Sequence, residues 1–108
     1  MASKIRAIVI HERDTVAVAL ETLPAGSEVT VATGDAQPQR IKLISPIPMG
    51  HKFALKDHEK GTPVIKYGEP IGTSTSAIAR GEHVHVHNVV GKKEPGGGHD
   101  IFSRIPQA

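Results

Sequence analysis

Three histidines alternate with valines in the segment Gly81-Glu82-His83-Val84-His85-Val86-His87-Asn88. In an extended chain successive side chains face opposite sides, so this spacing predicts His83, His85 and His87 on one face and Val84 and Val86 in the core. Alternate residues of a strand lie about 6.5 to 7 Å apart, close enough for two neighbouring imidazoles to converge on one ion. Neutral imidazole suits Zn, Fe, Ni or Cu, with carboxylates or water completing the shell. The competing reading of the same residues is a solvated face of an edge strand.

A second chemical group stands in Pro46-Ile47-Pro48-Met49-Gly50-His51-Lys52-Phe53-Ala54-Leu55. The prolines fix an extended approach, Gly50 permits a close backbone turn, and His51 with Lys52 sets an imidazole beside an ammonium. Such a pair binds a carboxylate or supplies a general base, because histidine titrates near neutral pH and burial lowers a lysine towards it. Against this stands a proline-rich connector whose charged tips sit in water. Gly68-Glu69-Pro70-Ile71-Gly72 is turn-forming and carries no chemistry of its own. Gly-x-Gly-x-x-Gly, P-loop and Gly-x-Ser-x-Gly patterns are missing, so dinucleotide, triphosphate and serine-hydrolase readings lack their motifs.

The elements that must position these groups read as strands. Apolar residues come in short runs or with period two: Ile5-Arg6-Ala7-Ile8-Val9-Ile10, Val29-Thr30-Val31, Ile41-Lys42-Leu43-Ile44, Val64-Ile65 and Val84-His85-Val86. Eleven glycines and eight prolines leave few stretches for a helix of three turns. The best helical segments are Thr15 to Leu23, whose Val16-Ala17-Val18-Ala19-Leu20 also suits a strand, and one turn around Ser76 to Arg80. A weak repeat runs through the chain: Gly26, Gly61 and Gly81 each have valine three residues on (Val29, Val64, Val84), and Leu23, His58 and Ile78 three residues before. Each copy predicts a turn followed by a strand. Residues 1–90 are assigned to one domain, and 91–108, with Lys92-Lys93-Glu94-Pro95-Gly96-Gly97-Gly98, to a glycine-rich tail whose Ile101, Phe102 and Ile105 can dock back or meet a partner.

At 108 residues the chain holds one domain. It has no cysteine, which excludes disulfides, thiolate zinc sites and cysteine nucleophiles. No apolar run of about 18 residues is present to span a bilayer, and the N-terminus carries no signal-type apolar region, so a cytoplasmic location is expected. The net charge of +2 is scattered, and the one tyrosine and two phenylalanines offer no stacking platform, which disfavours nucleic acid. Seven histidines are the compositional anomaly.

Arg13-Asp14-Thr15-Val16-Ala17-Val18-Ala19-Leu20, Gly50-His51-Lys52-Phe53-Ala54-Leu55-Lys56-Asp57, Gly61-Thr62-Pro63-Val64-Ile65-Lys66-Tyr67-Gly68-Glu69-Pro70-Ile71-Gly72 and the histidine segment together resemble a known family. It is the N-terminal SAF domain of altronate and galactarate dehydratases, which also occurs as the separate small subunit of altronate dehydratase-like and sulfolactate sulfo-lyase enzymes. The resemblance runs from Ile5 to about Asn88 and implies an all-β, β-clip fold with short helical turns. His58 departs from it, standing where the family more often has an aliphatic residue.

The resemblance further implies a β-elimination from a hydroxy acid: a base removes the proton beside the carboxylate, and water or sulfite leaves the next carbon. The large metal-dependent domain of the fused dehydratases is absent, so the chain is expected to be catalytically silent alone and to need a large lyase subunit. In that setting His51 and Lys52 are the expected catalytic pair. His83 and Asn88 are the expected substrate contacts, and His85 and His87 the metal ligands. His85 and His87 are expected to outweigh His83, which sits nearer the Gly81 turn. The divalent ion, Fe2+ or Mn2+, is expected to be held mainly by the partner. Neither nucleic acid nor membrane is an expected partner, and association with further copies of the chain is left open. The rival readings are a sulfolactate sulfo-lyase small subunit, a non-catalytic sugar-acid or protein binding module, and an autonomous three-histidine metalloprotein. The last has little enclosed volume for a substrate.

Overall fold

The computed structural model describes residues 4–33 and 37–91, and the tail assignments from Lys92 onward lie outside them. Nine short strands follow one another: β1 (Ile5–Ile8), β2 (Val16–Ala19), β3 (Glu28–Ala32), β4 (Gln39–Lys42), β5 (Lys52–Ala54), β6 (Pro63–Lys66), β7 (Glu69–Ser74), β8 (His83–Val84) and β9 (Val89–Gly91). They form a six-stranded sheet in the order β4-β3-β1-β2-β5-β8 and a three-stranded sheet β6-β7-β9. All pairings are antiparallel except β1 with β3. The expectation of an all-β fold is met, and among the described residues no helix is long and apolar enough to cross a membrane. Of the two helical segments, Thr15 to Leu23 contains strand β2 and Ser76 to Arg80 is a bend and turn. The alternating Val16-Ala17-Val18-Ala19 is taken up by its two flanking strands, whose pairing outweighs a weak local preference.

The glycine repeat is the organising device, and it has four copies. Gly50, preceded by Ile47 and followed by Phe53, joins Gly26, Gly61 and Gly81, and all four have φ between +83° and +87°. That left-handed conformation costs glycine almost nothing and other residues much more. The copies pair two by two. Leu23 and Ile47 exchange reciprocal backbone hydrogen bonds of 2.8 Å, and His58 and Ile78 do the same at 2.7 and 2.8 Å. Each turn glycine then donates to a residue in the approach of its partner copy: Gly26 to Leu43 O, Gly50 to Ala19 O, Gly61 to Ser74 O and Gly81 to Ala54 O. Each of those residues returns its N–H to the residue after the glycine: Leu43 to Ser27 O, Ala19 to His51 O, Ser74 to Thr62 O and Ala54 to Glu82 O. The result is two interlocked clips, residues 19–27 with 43–51 and residues 54–62 with 74–82.

Strand β5 joins the clips, and each of its faces carries a core. Phe53 packs with Ala7, Ala17, Leu23, Val29, Ile41 and Ile47. Ala54 packs with Val16, Val64, Ile78 and Val84. Burial of such aliphatic and aromatic side chains stabilises the fold by roughly 1.5 to 3 kcal/mol each.

The strand expected over Val84-His85-Val86 stops at Val84. Val84 is fully buried as expected, but Val86 is 62 % exposed, so its assignment to the core is corrected. The cause lies in Asn88: its carboxamide oxygen accepts the His85 N–H at 3.0 Å and its amide nitrogen donates to His83 O at 2.9 Å. This side chain offers the backbone a turn in place of a further ladder rung.

Candidate functional site

The imidazoles meet where the two clips join. β5 leaves the Gly50 turn and β8 leaves the Gly81 turn, and the two strands pair antiparallel with Phe53 opposite His83 and Lys52 opposite Val84. Residues opposite one another share a face, so His83 lies on the Phe53 side, the side that His51 also takes two residues earlier. His51 Nδ1 and His83 Nε2 are 2.9 Å apart, one donating to the other. The turn clamped by Asn88 then folds His85 back, and its ring stacks on His51 with centroids 4.3 Å apart. One ligand atom each from His51, His83 and His85 lies within 4.8 Å of the other two.

Burial and mutual repulsion favour the neutral rings. Desolvation, followed by the neighbouring His51, His87 and His85 and then Lys52, lowers His83 to about 4. Desolvation and the charges of His51, Lys52 and His87 also lower His85. Neutral imidazole is the form that binds a metal. His85 Nδ1 is buried without a hydrogen-bond partner, an unmet lone pair or N–H of the kind an inbound ligand satisfies. The donor set therefore fits a divalent transition ion held by His51, His83 and His85. No carboxylate joins the group among the described residues.

The other expected site residues fall around this centre. The exposed His87 has its ring 5.3 Å from that of His83, outside the converging trio. His83, expected as a substrate contact of less weight than His85 and His87, is central to the group. Both ends of the buried Asn88 carboxamide are engaged by the backbone of the histidine turn. Lys52 is only 5 % exposed and lies on the opposite face of β5, the face of Val84, where desolvation and the nearby Lys66 lower it to about 8. Ser45, which the sequence reading did not single out, accepts the His83 N–H on its hydroxyl at 3.4 Å. That His51 shares a site with the histidine segment was expected; the direct pairing of its ring with His83 follows from the β5–β8 register, and the local signal for the turn that delivers it is Gly50 followed by Phe53 at the spacing of the other three turns. A cleft of about 480 Å3 bordered by His11, Glu12, Asp14, Gln39 and Lys56 contains none of these histidines.

Residues 5–92 match the family described as the altronate/galactarate dehydratase SAF domain. The chain belongs to that family. Among relatives of this SAF domain, the altronate dehydratase of Escherichia coli (strain K12) is 51 % identical over 81 residues, 75 % of this chain and 15 % of that protein. The (2R)-sulfolactate sulfo-lyase subunit alpha of Chromohalobacter salexigens is 38 % identical over 88 residues, 79 % of this chain and 94 % of that subunit. The galactarate dehydratase (L-threo-forming) of Escherichia coli (strain K12) is 34 % identical over 88 residues. The SAF domain described here thus spans about one seventh of the dehydratases it matches and nearly the whole of a sulfo-lyase subunit.

Proposed function

We propose that this chain is the small subunit of a metal-dependent lyase that removes water from a sugar acid such as altronate or galactarate. The observation that carries the reading is the convergence of His51, His83 and His85 at the junction of the two clips, on the scaffold of the dehydratase SAF family. A divalent ion bound there supplies Lewis-acid charge for a substrate carboxylate or a departing hydroxyl. An all-imidazole donor set accords better with Fe2+ than with Mn2+, which favours oxygen ligands.

The chain's own residues do the rest. His83 and His85 present lone pairs at neutral pH because burial and their neighbours oppose protonation. The Asn88 clamp fixes the turn and with it the direction of both rings. Lys52, lowered to about 8 by burial and the nearby Lys66, is the chain's candidate proton carrier, and because it lies on the opposite face of β5 it would act on a group outside the imidazole cluster.

A second reading, elimination of sulfite from a sulfo-acid, is favoured by the near-complete coverage of the sulfo-lyase subunit alpha. The 51 % identity to altronate dehydratase supports the choice of water as the leaving group. The test is reconstitution with the large lyase subunit and assay on altronate, galactarate and sulfolactate. Turnover of a sugar acid that falls at least 100-fold in His85→Ala, with complex formation intact, is the expected result. Turnover of sulfolactate alone overturns the dehydratase assignment, and wild-type turnover in His51→Ala, His83→Ala and His85→Ala overturns the site.

A further inference from the structure

Eight large apolar side chains are exposed among the described residues, and four of them lie within two residues of an imidazole of the cluster or of a residue bonded to its backbone. Met49, 66 % exposed, lies two residues before His51 on the Gly50 turn. Val86, 62 % exposed, lies between His85 and His87. Ile44, 58 % exposed, donates its N–H to Gly81 O and precedes Ser45, whose hydroxyl receives the His83 N–H. Leu20 follows Ala19, which is bonded to both Gly50 and His51. These residues come from four separate stretches of chain, and the backbone of each stretch is tied to the site by a named turn or hydrogen bond. Exposed apolar side chains gathered around a polar centre mark a surface that another protein covers.

The centre itself states what that protein must bring. The cluster contains imidazoles only, Lys52 lies behind it, and no carboxylate joins it among the described residues. A divalent ion there would have no anionic ligand from the described residues, and bare positive charge in a closing interface is costly. Apolar contact outside and negative charge inside define the complementary surface.

We propose that Leu20, Ile44, Met49 and Val86 form a docking collar for the large subunit of the lyase, and that this subunit delivers an Asp or Glu carboxylate into the imidazole cluster. The proposal rests on the lyase reading for the identity of the partner. It adds the face that is covered and the ligand that arrives. The site is then shared: three imidazoles come from this chain and the anion from the other.

The test uses the full-length chain and the full-length large subunit. Association is followed by analytical ultracentrifugation, and Co2+ binding by visible absorption. Met49→Asn and Val86→Asn change exposed positions without adding a charge or a carboxylate, so the chain stays folded and keeps its own Co2+ affinity, while its affinity for the large subunit falls at least tenfold. Tyr67→Asn, a change at an exposed position on the β6–β7 turn, whose Gly68 N–H bonds Asp14, associates as wild type. Addition of the large subunit tightens Co2+ binding at least tenfold and alters its absorption spectrum, with the His85→Ala chain as the blank for Co2+ held by the large subunit alone. By linkage, Co2+ then tightens association by the same factor. Wild-type association by both collar variants overturns the docking face. An unchanged Co2+ spectrum and affinity overturn the delivered carboxylate. A wild-type chain that neither associates with the large subunit nor supports turnover sinks the lyase reading itself, and a chain that does both while the collar variants match it sinks the collar alone.

Discussion

The two clips share one hydrogen-bond plan and differ in what they bury. In the first, Leu23 faces Ile47 and the approach residues are Ala19 and Leu43, all apolar and fully or almost fully buried. In the second, His58 faces Ile78 and the corresponding approach residues are Ala54 and Ser74. The Ser74 hydroxyl donates to Glu59 O at 2.7 Å and accepts the Thr62 N–H at 3.1 Å, so its burial is compensated. His58 is only half compensated. Its Nδ1 donates to Lys56 O at 2.9 Å, which leaves the Nε2 lone pair buried without a donor. The plan of backbone bonds is thus sufficient to form a clip, while the side chain at the crossing sets how stable that clip is and how it responds to acid.

Truncation at the apolar crossing gives the largest expected effect. Leu23→Ala and Ile47→Ala each lose stability of about 2 to 5 kcal/mol, from lost burial and the cavity left behind. Ile78→Ala, set against the polar ring of His58, loses less. Urea unfolding of the three variants checks the ranking, and an Ile78→Ala loss equal to that of Ile47→Ala breaks the contrast between the clips.

Next comes the pair of valines. Val84→Ala, in the core of the second clip, costs about 1 to 3 kcal/mol, and Val86→Ala, on the surface, stays within about 0.5 kcal/mol. Thermal melts separate the two.

His58→Leu restores the aliphatic crossing and stabilises the chain by about 1 to 2 kcal/mol, the usual penalty of an unsatisfied buried polar atom. Its pH dependence sharpens the contrast. Desolvation, the largest cause, lowers His58 below 6.5, and His83 and His85 are lowered as well, His83 to about 4. The unfolded chain takes up protons at about 6.5 that the folded chain refuses, so stability is full above that pH and falls as the pH drops from about 6.5 towards 4. Denaturant midpoints across this window fall less steeply in His58→Leu than in wild type. A parallel pair of curves assigns the acid response to the clustered histidines His83 and His85 alone.

The smallest effect is that of Ser74→Ala, about 1 kcal/mol, because one buried hydroxyl with two good partners is lost and the backbone clip persists. A loss as large as that of Leu23→Ala would show that the hydroxyl, and not the backbone plan, closes the second clip.

Much of the fold was legible because β-branched runs and glycine spacing are local properties. Val29-Thr30-Val31, Ile41-Lys42 and Val64-Ile65 announce strands without help, and three of the four clip turns stand out by valine at the third position. Gly50 hid because Phe53 takes the place of valine. The reciprocal pairing of the copies was not legible, since it depends on hydrogen bonds between Leu23 and Ile47 or His58 and Ile78 that no local pattern encodes. At the site, alternation singled out His83, His85 and His87, of which the first two converge with His51, but it extended the strand two residues too far. Asn88, a residue whose side chain readily bonds nearby backbone, held the signal for the turn. That turn exposes Val86 and replaces the expected row of His83, His85 and His87 with a trio that includes His51.

The order of the chain through β5 has a kinetic meaning. The backbone bonds that close the first clip all lie within residues 19–51, so they can form before those of the second, although Phe53 of β5 is needed to complete the core. The imidazole trio, by contrast, draws one ring from the first clip's final turn and two from the segment after the second clip. Ring closure over the intervening residues must already have been achieved by packing, because a loop that long is slow to form for the reward of a single contact. An ion captured by all three rings would therefore arrive at a finished molecule, and its binding would report completion of folding instead of guiding it.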